Sequence, residues 1–486
     1  MNENLLTLEP KEVWEHFRSL TLIPRPSKHE DAIREFMVNF GKQLGLETIM
    51  DEVGNVIIRK PATPGMENRK GVVLQGHLDM VPQANSDKVH DFTKDPIETL
   101  PDGEWMKANG TTLGADNGIG VAAAMAVLAS KTIKHGPVEA LFTADEETGM
   151  TGAFGLKPGM LHGDILLNLD SEDEGELYVG CAGGLDATAT FRYSEEPMPS
   201  EHTTYTLKVS GLKGGHSGMD IVLGRGNANK LLFRFLKAAT EKFQLRLSSV
   251  VGGSLRNAIP REAVAVVAVP NEMKQALQDY VAEMELILKN ELSATEPNLS
   301  FKVVASEEIE TVMDQGTQWS LTNAIYGCPN GVIRMSDSMP GLVETSNNLA
   351  SVKSQNGSVK ISCLLRSSVD SAKDDLAAMI SSVFELAGAD ILFEGGYPGW
   401  KPNMESPILK TMQATYEKLY GKIPEIKAIH AGLECGLLGG VYPKWDMISF
   451  GPTIRSPHSP DERVNVPTVA KFFNFLIATL ADVPAK

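Results

Sequence analysis

The chain has 486 residues, of which 42% are hydrophobic and 22% are charged, a composition typical of folded globular proteins. This length exceeds what one ordinary core holds, so we expect two domains. The 45 basic and 62 acidic residues give a net charge of −17. Such a charge repels nucleic acid and anionic membranes and argues against both as partners.

The first residues and the cysteines predict a cytoplasmic protein. Residues 1–14 lack the basic start and apolar stretch of a signal peptide, and no run of about 18 apolar residues could span a membrane. The four cysteines are scattered without paired spacing, which favours buried reduced thiols over disulfides.

The first predicted elements alternate between helix and strand. The sequence SKHE at residues 27–30 has the pattern of a capping box and predicts a helix that runs to about Leu44. A β-hairpin is predicted around Gly54. Three apolar runs then predict strands buried on both faces of a parallel sheet, over residues 71–79, 138–144 and 164–169, with a helix between the first two.

The pattern changes near residue 203. Residues 204–304 predict the order β-α-β-β-α-β, and a looser echo of that order, without a clear first strand, continues to about residue 394. We therefore expect an inserted α+β domain of two ferredoxin-like halves over residues 200–398. Helix and strand alternate again after Trp400. The predicted fold is thus α/β, a discontinuous catalytic domain of residues 1–199 and 399–486 with a mostly parallel sheet.

Two polar motifs lie at the end of a predicted strand and at the mouth of a helix. His77 and Asp79 in the string GHLD point the same way from a strand, so an imidazole could ligate a metal while the carboxylate orients it. A structural His–Asp pair would look the same. Asp116 in GADNG could bridge two cations with its two oxygens, and a helix N-cap is the alternative.

Three further candidates follow later strands. In ADEE, Glu147 could hold a metal while Glu146 takes a proton from the attacking water, a role that suits a raised pKa; an acidic surface turn is the alternative. Asp170 ends another apolar run, and His458 lies in a loop after a predicted strand. A single loop histidine is more often simply solvated.

The combination outweighs these separate alternatives. The candidate ligands all fall at the carboxyl ends of predicted parallel strands or at a helix mouth, the edge at which open α/β sheets bind ligands. Two histidines and three carboxylates can supply two zinc ions with a shared carboxylate. Two-metal sites of this kind activate water for hydrolysis. The residues that make up this predicted site are His77, Asp116, Glu147, Asp170 and His458.

The order of these motifs resembles that of the co-catalytic zinc exopeptidases, which include aminoacylases, peptidase T and carnosinases. Longer strings resemble the bacterial aminoacyl-histidine dipeptidase branch of that family. They run from the first third of the chain to its C-terminal region: VVLQGHLDMVPQ, GTTLGADNGIG, GLKGGHSGMDI, GNANKLLFRFL, LRNAIPREA, YPGWKP, IHAGLECG and GPTIRSPHSPDE.

The resemblance implies specific roles. Glu146 would act as general base and then acid, Asp79 would orient His77, and the peptide after Asp116 would be cis. Mn²⁺ or Co²⁺ could replace zinc at such ligands. The implied ligands of the two Zn²⁺ ions are His77 and Asp170 for one, Glu147 and His458 for the other, and Asp116 for both.

The inserted domain has its own candidates. His216 in GGHSG reads by itself as a turn residue in a flexible loop, but the resemblance implies a lid histidine that stabilises the oxyanion, supplied from the same chain or from a partner. Asn257 and Arg366 match substrate-contacting positions, and an arginine fork fits a terminal carboxylate. The resemblance also implies a homodimer formed through this domain. No firm role follows for His430 or Glu434.

The resemblance implies hydrolysis of unblocked dipeptides, especially Xaa-His dipeptides such as β-alanyl-histidine. An N-acyl-amino-acid deacylase or an aminotripeptidase with the same zinc centre is the alternative. A peptide-binding protein with an inactive metal site belongs to another class, and the presence of Glu146 with every candidate ligand argues against it. A structural zinc site would favour cysteine ligands, and none occurs among these.

Overall fold

The computed structural model describes all 486 residues, which form two compact units. The first unit, called unit 1 below, consists of Met1–Gly180, Pro402–Ala428 and Leu433–Lys486. The second, unit 2, consists of Cys181–Lys401 and Ile429–Gly432. The sequence placed the start of the insert at residue 200. Unit 2 begins earlier because the strand Gly183–Arg192 pairs on both sides with strands of that unit.

An eight-stranded sheet forms the centre of unit 1. Its four middle strands pair in parallel, whereas the hairpin at one edge and the strand that follows Asp446–Ser449 in the sheet pair antiparallel. The sheet is therefore mixed and mostly parallel at its centre. Its spatial order is Glu47–Met50, Val56–Lys60, Val138–Thr143, Val72–His77, Ile165–Asn168, Asp446–Ser449, Glu176–Cys181 and Glu425–Ile429.

The middle strands are buried along their whole length, as their continuous apolar runs predicted. The helix Ala115–Ala129 is also buried on nearly all sides. Its alanines and glycines allow a close approach to the sheet: a Cβ at Gly120 would lie 2.2 Å from the carbonyl oxygen of Leu169.

The remaining elements of unit 1 complete its layers. Its helices are Lys11–Thr21, Asp31–Gln43, Glu146–Gly149, Thr151–Gly155, Pro407–Tyr420, Glu434–Val441 and Val466–Asp482, with a 3₁₀ turn at Glu3–Thr7. A small four-stranded sheet contains Ile454–Arg455, Arg463–Asn465, Trp105–Ala108 and Thr99–Asp102.

The predicted capping box at residues 27–30 is wrong. The helix begins at Asp31, and no side chain caps it. The Ser27 hydroxyl instead donates to Asp79 Oδ2 at 2.7 Å, and Glu30 accepts from the backbone N–H of Asp145 at 2.9 Å. Tertiary contacts to the sheet edge outweigh the local pattern at these residues.

Unit 2 contains an antiparallel sheet that the sequence predicted only in part. Its main path runs Ser300–Ala305, His202–Ser210, Ala263–Pro270, Arg246–Gly252, Val343–Gln355, Ser358–Ser367, Gly183–Arg192 and Asp390–Tyr397, and Gly331–Met335 pairs with Val343–Gln355. Short two-stranded pairs join Glu195–Pro197 to Thr311–Met313 and Gly215–His216 to Ala258–Ile259.

Helices of unit 2 pack against this sheet around one core. Phe233, Phe235, Phe301 and Phe384 are among its fully buried side chains. The helices are Ala228–Phe243, Lys274–Glu291, Gln315–Gly327 and Asp370–Leu386, with 3₁₀ turns at Ile221–Leu223 and Asn271–Met273.

The cysteines agree with the sequence analysis. All four cysteines are buried and none forms a disulfide. None of the helices combines the length and the apolar character that a membrane span requires.

Candidate metal centre

The carboxyl ends of the parallel strands in unit 1 bring the five predicted metal ligands together. His77 is the last residue of its strand. Glu147 lies in the short helix that follows the strand Val138–Thr143, and Asp170 comes two residues after the strand Ile165–Asn168. Parallel strands place such residues at one edge of the sheet, so positions far apart in sequence become neighbours.

Asp116 lies between the two histidines. Its Oδ1 is 3.1 Å from His77 Nε2, and its Oδ2 is 3.2 Å from His458 Nε2. Asp116 and Asn117 have non-helical backbone angles at the start of the helix, and the peptide between them is cis. Each oxygen of one carboxylate therefore faces a different imidazole.

Two groups of potential ligand atoms share this carboxylate. One consists of His77, Asp116 and Asp170, and the other of Asp116, Glu147 and His458; within each group the ligand atoms lie within 4.8 Å of one another. His458 Nε2 is 3.0 Å from Glu147 Oε2, and His77 Nε2 is 3.5 Å from Asp170 Oδ1. A pair of adjacent ion sites with a common carboxylate has this arrangement.

Two oxygens of the cluster are buried without a hydrogen-bond partner. They are Glu147 Oε1 and Asp170 Oδ1. A buried polar atom without a partner costs free energy, and a cation bound at the cluster would remove that cost. The oxygen and imidazole donors are those that Zn²⁺ and related divalent ions accept.

Hydrogen bonding and burial raise the pKa values of two residues of the cluster. Hydrogen bonds to Asp116 and Glu147 raise the pKa of His458 to about 11. Burial raises the pKa of Asp170 to about 7 despite the neighbouring His77. Carboxylates and imidazoles this close hold protons among themselves, and a divalent ion at the same atoms would displace those protons.

Asp79 connects His77 to the acidic turn. Its side chain is fully buried, and its Oδ1 lies 3.3 Å from His77 Nδ1. The same carboxylate accepts backbone N–H groups from Glu146 at 3.0 Å and Glu147 at 3.2 Å. Burial would raise the pKa of Asp79, but these bonds, with those from His77 and Ser27, hold it at about 2.

Glu146 lies beside the ligands and shows the properties of a proton acceptor. Burial raises the pKa of Glu146 well above the usual range, and the charges of Asp170, Glu434 and Glu147 raise it further. Its potential ligand atom lies within 4.8 Å of those of His77 and Glu147. A carboxylate with a raised pKa can take up a proton and release it again near neutral pH.

Three residues that the sequence analysis did not single out hold this edge in place. Asn117 accepts from the His77 backbone N–H and donates to the Leu169 carbonyl, at 3.2 and 2.6 Å. Buried Arg25 donates to the carbonyls of Leu78 and Asp79, at 2.9 and 3.1 Å. Such contacts across the fold leave no local sequence pattern.

Glu462 is the third of these residues. Its side chain is 2% exposed and accepts backbone N–H groups of Leu113, Gly114 and Asp116, at 2.7, 2.9 and 3.1 Å. It thereby fixes the turn that carries Asp116. Glu462 itself lies four residues after His458 in the chain. Burial raises the pKa of Glu462 to about 7, although its backbone hydrogen bonds act the other way.

A second group of candidates lies together in unit 2. His216 is half-buried, Asn257 is exposed and Arg366 is 5% exposed. Ser217 connects them, because its backbone N–H donates to the Asn257 carbonyl at 2.8 Å and its hydroxyl accepts from Arg366 Nε at 3.4 Å. Arg366 also donates to the Tyr397 hydroxyl at 3.3 Å.

Comparison with known proteins identifies the family. Residues 73–482 match Peptidase family M20/M25/M40. The chain is 50% identical over 482 residues to the cytosol non-specific dipeptidase of Escherichia coli (strain K12), with 99% of each chain covered. The chain belongs to peptidase family M20/M25/M40, and it is a metallopeptidase of that family. The resemblance to the co-catalytic zinc exopeptidases is thereby confirmed.

Solved structures agree with this assignment. The aminoacylhistidine dipeptidase of Vibrio alginolyticus matches with a TM-score of 0.96 and 51% identity, with all of both chains covered. An aminopeptidase (PepT) of Bacillus cereus matches with a TM-score of 0.62 and 17% identity, over 98% of this chain and 99% of that one. The second similarity shows a shared fold.

The bonds of Glu462 lead to the first prediction. Glu462→Gln should weaken zinc retention by about 10- to 100-fold, the effect typical of losing a residue that supports a metal ligand, because the turn that carries Asp116 loses a charged acceptor. Competition with a chelator of known affinity measures this change.

Asp461→Asn is the matched control. It removes the same charge one residue earlier, from an exposed side chain, and should leave zinc affinity unchanged. Equal zinc affinity in Glu462→Gln and the wild-type protein would show that Glu462 does not position the site.

Proposed function

We propose that the protein is a two-zinc dipeptidase, and that Asp116 bridges the two ions. The observation that carries this proposal is the position of Asp116, whose two oxygens face His77 and His458 in two separate groups of potential ligands. We infer that His77 and Asp170 complete one ion site and that Glu147 and His458 complete the other. Mn²⁺ or Co²⁺ could occupy the same oxygen and nitrogen ligands.

The chemistry of the ligands and of Glu146 supports hydrolysis. Two bound zinc ions would polarise the scissile carbonyl and make water a stronger nucleophile. Glu146 would take the proton from the attacking water and pass it to the leaving amine, which fits its burial and raised pKa. Asp79 would keep the His77 ring oriented and hold the turn that carries Glu146.

The hydrogen bonds of His216 support a role as a hydrogen-bond donor to the substrate. Its Nδ1 accepts the backbone N–H groups of Gly218 and Met219, both at 3.1 Å. Burial, together with the charge of Arg366, lowers the pKa of His216 and favours the neutral ring. A neutral ring whose Nδ1 accepts must carry its hydrogen on Nε2. We propose that this Nε2–H stabilises the oxyanion.

Arg366 and Asn257 are proposed substrate contacts. Arg366 is buried and forms no ion pair with a carboxylate, and its partners are the hydroxyls of Ser217 and Tyr397. A buried guanidinium with only neutral partners is suited to a carboxylate supplied by the substrate. The exposed Asn257 lies beside the His216 turn, where an amide could bind the peptide.

We propose that unit 2 is a lid and dimerisation domain with two ferredoxin-like halves. The strand Gly183–Arg192 would be the first strand of the second half, because each half then has the order fourth, first, third, second across the sheet. Apolar side chains that follow His216 support a partner surface, since Met219, Val222 and Leu223 are 60%, 44% and 48% exposed.

The proposed substrates are unblocked dipeptides, including Xaa-His dipeptides such as β-alanyl-histidine. The relatives that match nearly the whole chain are named as a non-specific dipeptidase and an aminoacylhistidine dipeptidase, and the first is named as cytosolic, which supports a cytoplasmic location. An N-acyl-amino-acid deacylase or an aminotripeptidase is the alternative that uses the same metal ligands.

A substrate panel tests the proposed function. With zinc present, the purified protein should release free amino acids from dipeptides at least about 10²-fold faster, in kcat/KM, than from tripeptides or N-acetyl amino acids, the scale of discrimination that a few polar contacts supply. Faster release from N-acetyl amino acids would assign the protein to the deacylases instead.

Glu146→Gln should keep about two metal ions per chain and lower turnover by about 10²-fold or more, the scale of a lost general base. Metal analysis and steady-state kinetics on one preparation measure both effects. Asp116→Ala is the comparison variant and should lose metal as well as activity. Near-normal turnover in Glu146→Gln would refute its role as the base, and two tightly held ions in Asp116→Ala would refute the bridge.

His216→Ala should retain zinc and fold normally but lose about 10²–10³-fold in turnover, the effect of removing one oxyanion donor. Mixing His216→Ala with Glu146→Gln protein after subunit exchange tests where the histidine acts. Recovered activity would mean that His216 serves the partner's site, and no recovery despite proven exchange would place it in its own chain's site. Normal turnover of His216→Ala would refute the role.

A further inference from the structure

A carboxylate with no assigned role lies beside the metal centre in unit 1. Glu434 is the first residue of the helix Glu434–Val441, and its side chain is 2% exposed. Its Oε1 has no hydrogen-bond partner in the protein. Glu434 belongs to neither group of potential ligands that shares Asp116, so the two proposed ions would not use its charge.

Two hydrogen bonds hold the other oxygen of Glu434. Its Oε2 accepts from Gln75 Nε2 at 2.6 Å and from Thr143 Oγ1 at 2.9 Å. Gln75 lies two residues before His77 on the same strand, and Thr143 ends the strand that leads to Glu146. Gln75 is itself held by Asn168, whose Nδ2 donates to Gln75 Oε1 at 2.5 Å. The position of Glu434 is therefore fixed relative to the strand ends that carry His77 and lead to Glu146.

The charge of Glu434 has no permanent counterion. Burial raises the pKa of Glu434 to about 7, and the positive group that opposes this most is the His77 ring. No lysine or arginine is among its hydrogen-bond partners. A buried carboxylate is costly unless it is paired. Because Oε2 is held by the protein and Oε1 has no partner, Glu434 favours a cation that binds reversibly.

The substrate proposed above carries such a cation. An unblocked dipeptide of α-amino acids has an ammonium group two covalent bonds from its scissile carbon, so a residue that binds this ammonium must lie beside the group that activates water. Glu434 meets this requirement, because its partner Thr143 ends the strand that leads to Glu146. We propose that Glu434 Oε1 binds the α-ammonium group of the substrate and selects unblocked peptides over N-acylated ones.

This inference rests on the proposed dipeptidase function and explains which amides the centre accepts. An N-acyl substrate offers a methyl or methylene group where the dipeptide offers an ammonium. Oε1 would then stay buried and unpaired, and a site built for a charged partner rejects analogues that lack it. Glu434 is thus a specificity-determining residue, separate from the residues proposed to hold metal.

The test compares two compounds that differ only in the ammonium group: L-alanyl-L-histidine and propionyl-L-histidine. Zinc-loaded wild-type protein should prefer the first by about 10²- to 10³-fold in kcat/KM, the scale of a buried charge pair. Glu434→Gln should lose about that factor on alanyl-histidine and stay within about threefold on propionyl-histidine, with its metal content unchanged. The selectivity would then nearly disappear.

Glu172→Gln is the matched control. Glu172 is another carboxylate near the cluster, and burial raises its pKa to about 8. Unlike Glu434, it forms no hydrogen bond with Gln75 or Thr143. Its variant should keep the preference for alanyl-histidine. Glu434→Asp, which keeps the charge but withdraws the oxygen by one carbon, should retain metal and lose part of the selectivity.

Four results would overturn the inference. They are an equal loss on both compounds in Glu434→Gln, lost metal in that variant, lost selectivity in Glu172→Gln, or rapid hydrolysis of propionyl-histidine by the wild-type protein. The last would leave amide hydrolysis itself intact. If wild-type protein with two bound zinc ions hydrolysed neither compound, the proposed function would fail first, which separates the two failures.

Discussion

The crowding of negative charge at one edge of a parallel sheet is the constraint on which the site depends. Asp79, Asp116, Glu147 and Asp170 approach one another there together with Glu146, Glu434 and Glu462, and most of these side chains are shielded from water. Burying several carboxylates together is unfavourable unless each finds a donor or a cation. The groups around this edge serve largely to give each carboxylate such a donor or cation.

Different carboxylates meet it in different ways. Asp79 and Glu462 are satisfied by the protein, chiefly through backbone N–H groups of the turns that carry other site residues. Their charges therefore fix geometry. Glu147, Asp170 and Glu434 each keep a buried oxygen without a partner. By our proposals, those oxygens bind cations from outside the protein: metal ions for the first two and the substrate for the third.

This division explains how one fold can separate stability from chemistry. The satisfied carboxylates link strand ends to loops, as Glu462 links the His458 region to Asp116. The unsatisfied ones each keep an oxygen available for the proposed metal ions or substrate. Selection for a free amino terminus then needs no additional domain, because the substrate ammonium group is only two bonds from the scissile carbon and a carboxylate next to the general base could bind it.

The sequence by itself determined the family, the parallel strands and the set of candidate metal ligands. Continuous apolar runs mark buried parallel strands, and the carboxyl ends of such strands share one edge, so His77, Glu147 and Asp170 could be placed together without coordinates. Tertiary structure alone decided the partners of Ser27, Glu462 and Glu434, because each acts on residues from distant parts of the chain. It also decided that Gly183–Arg192 joins the sheet of unit 2, since strand pairing depends on neighbours brought together by folding and not on the local pattern.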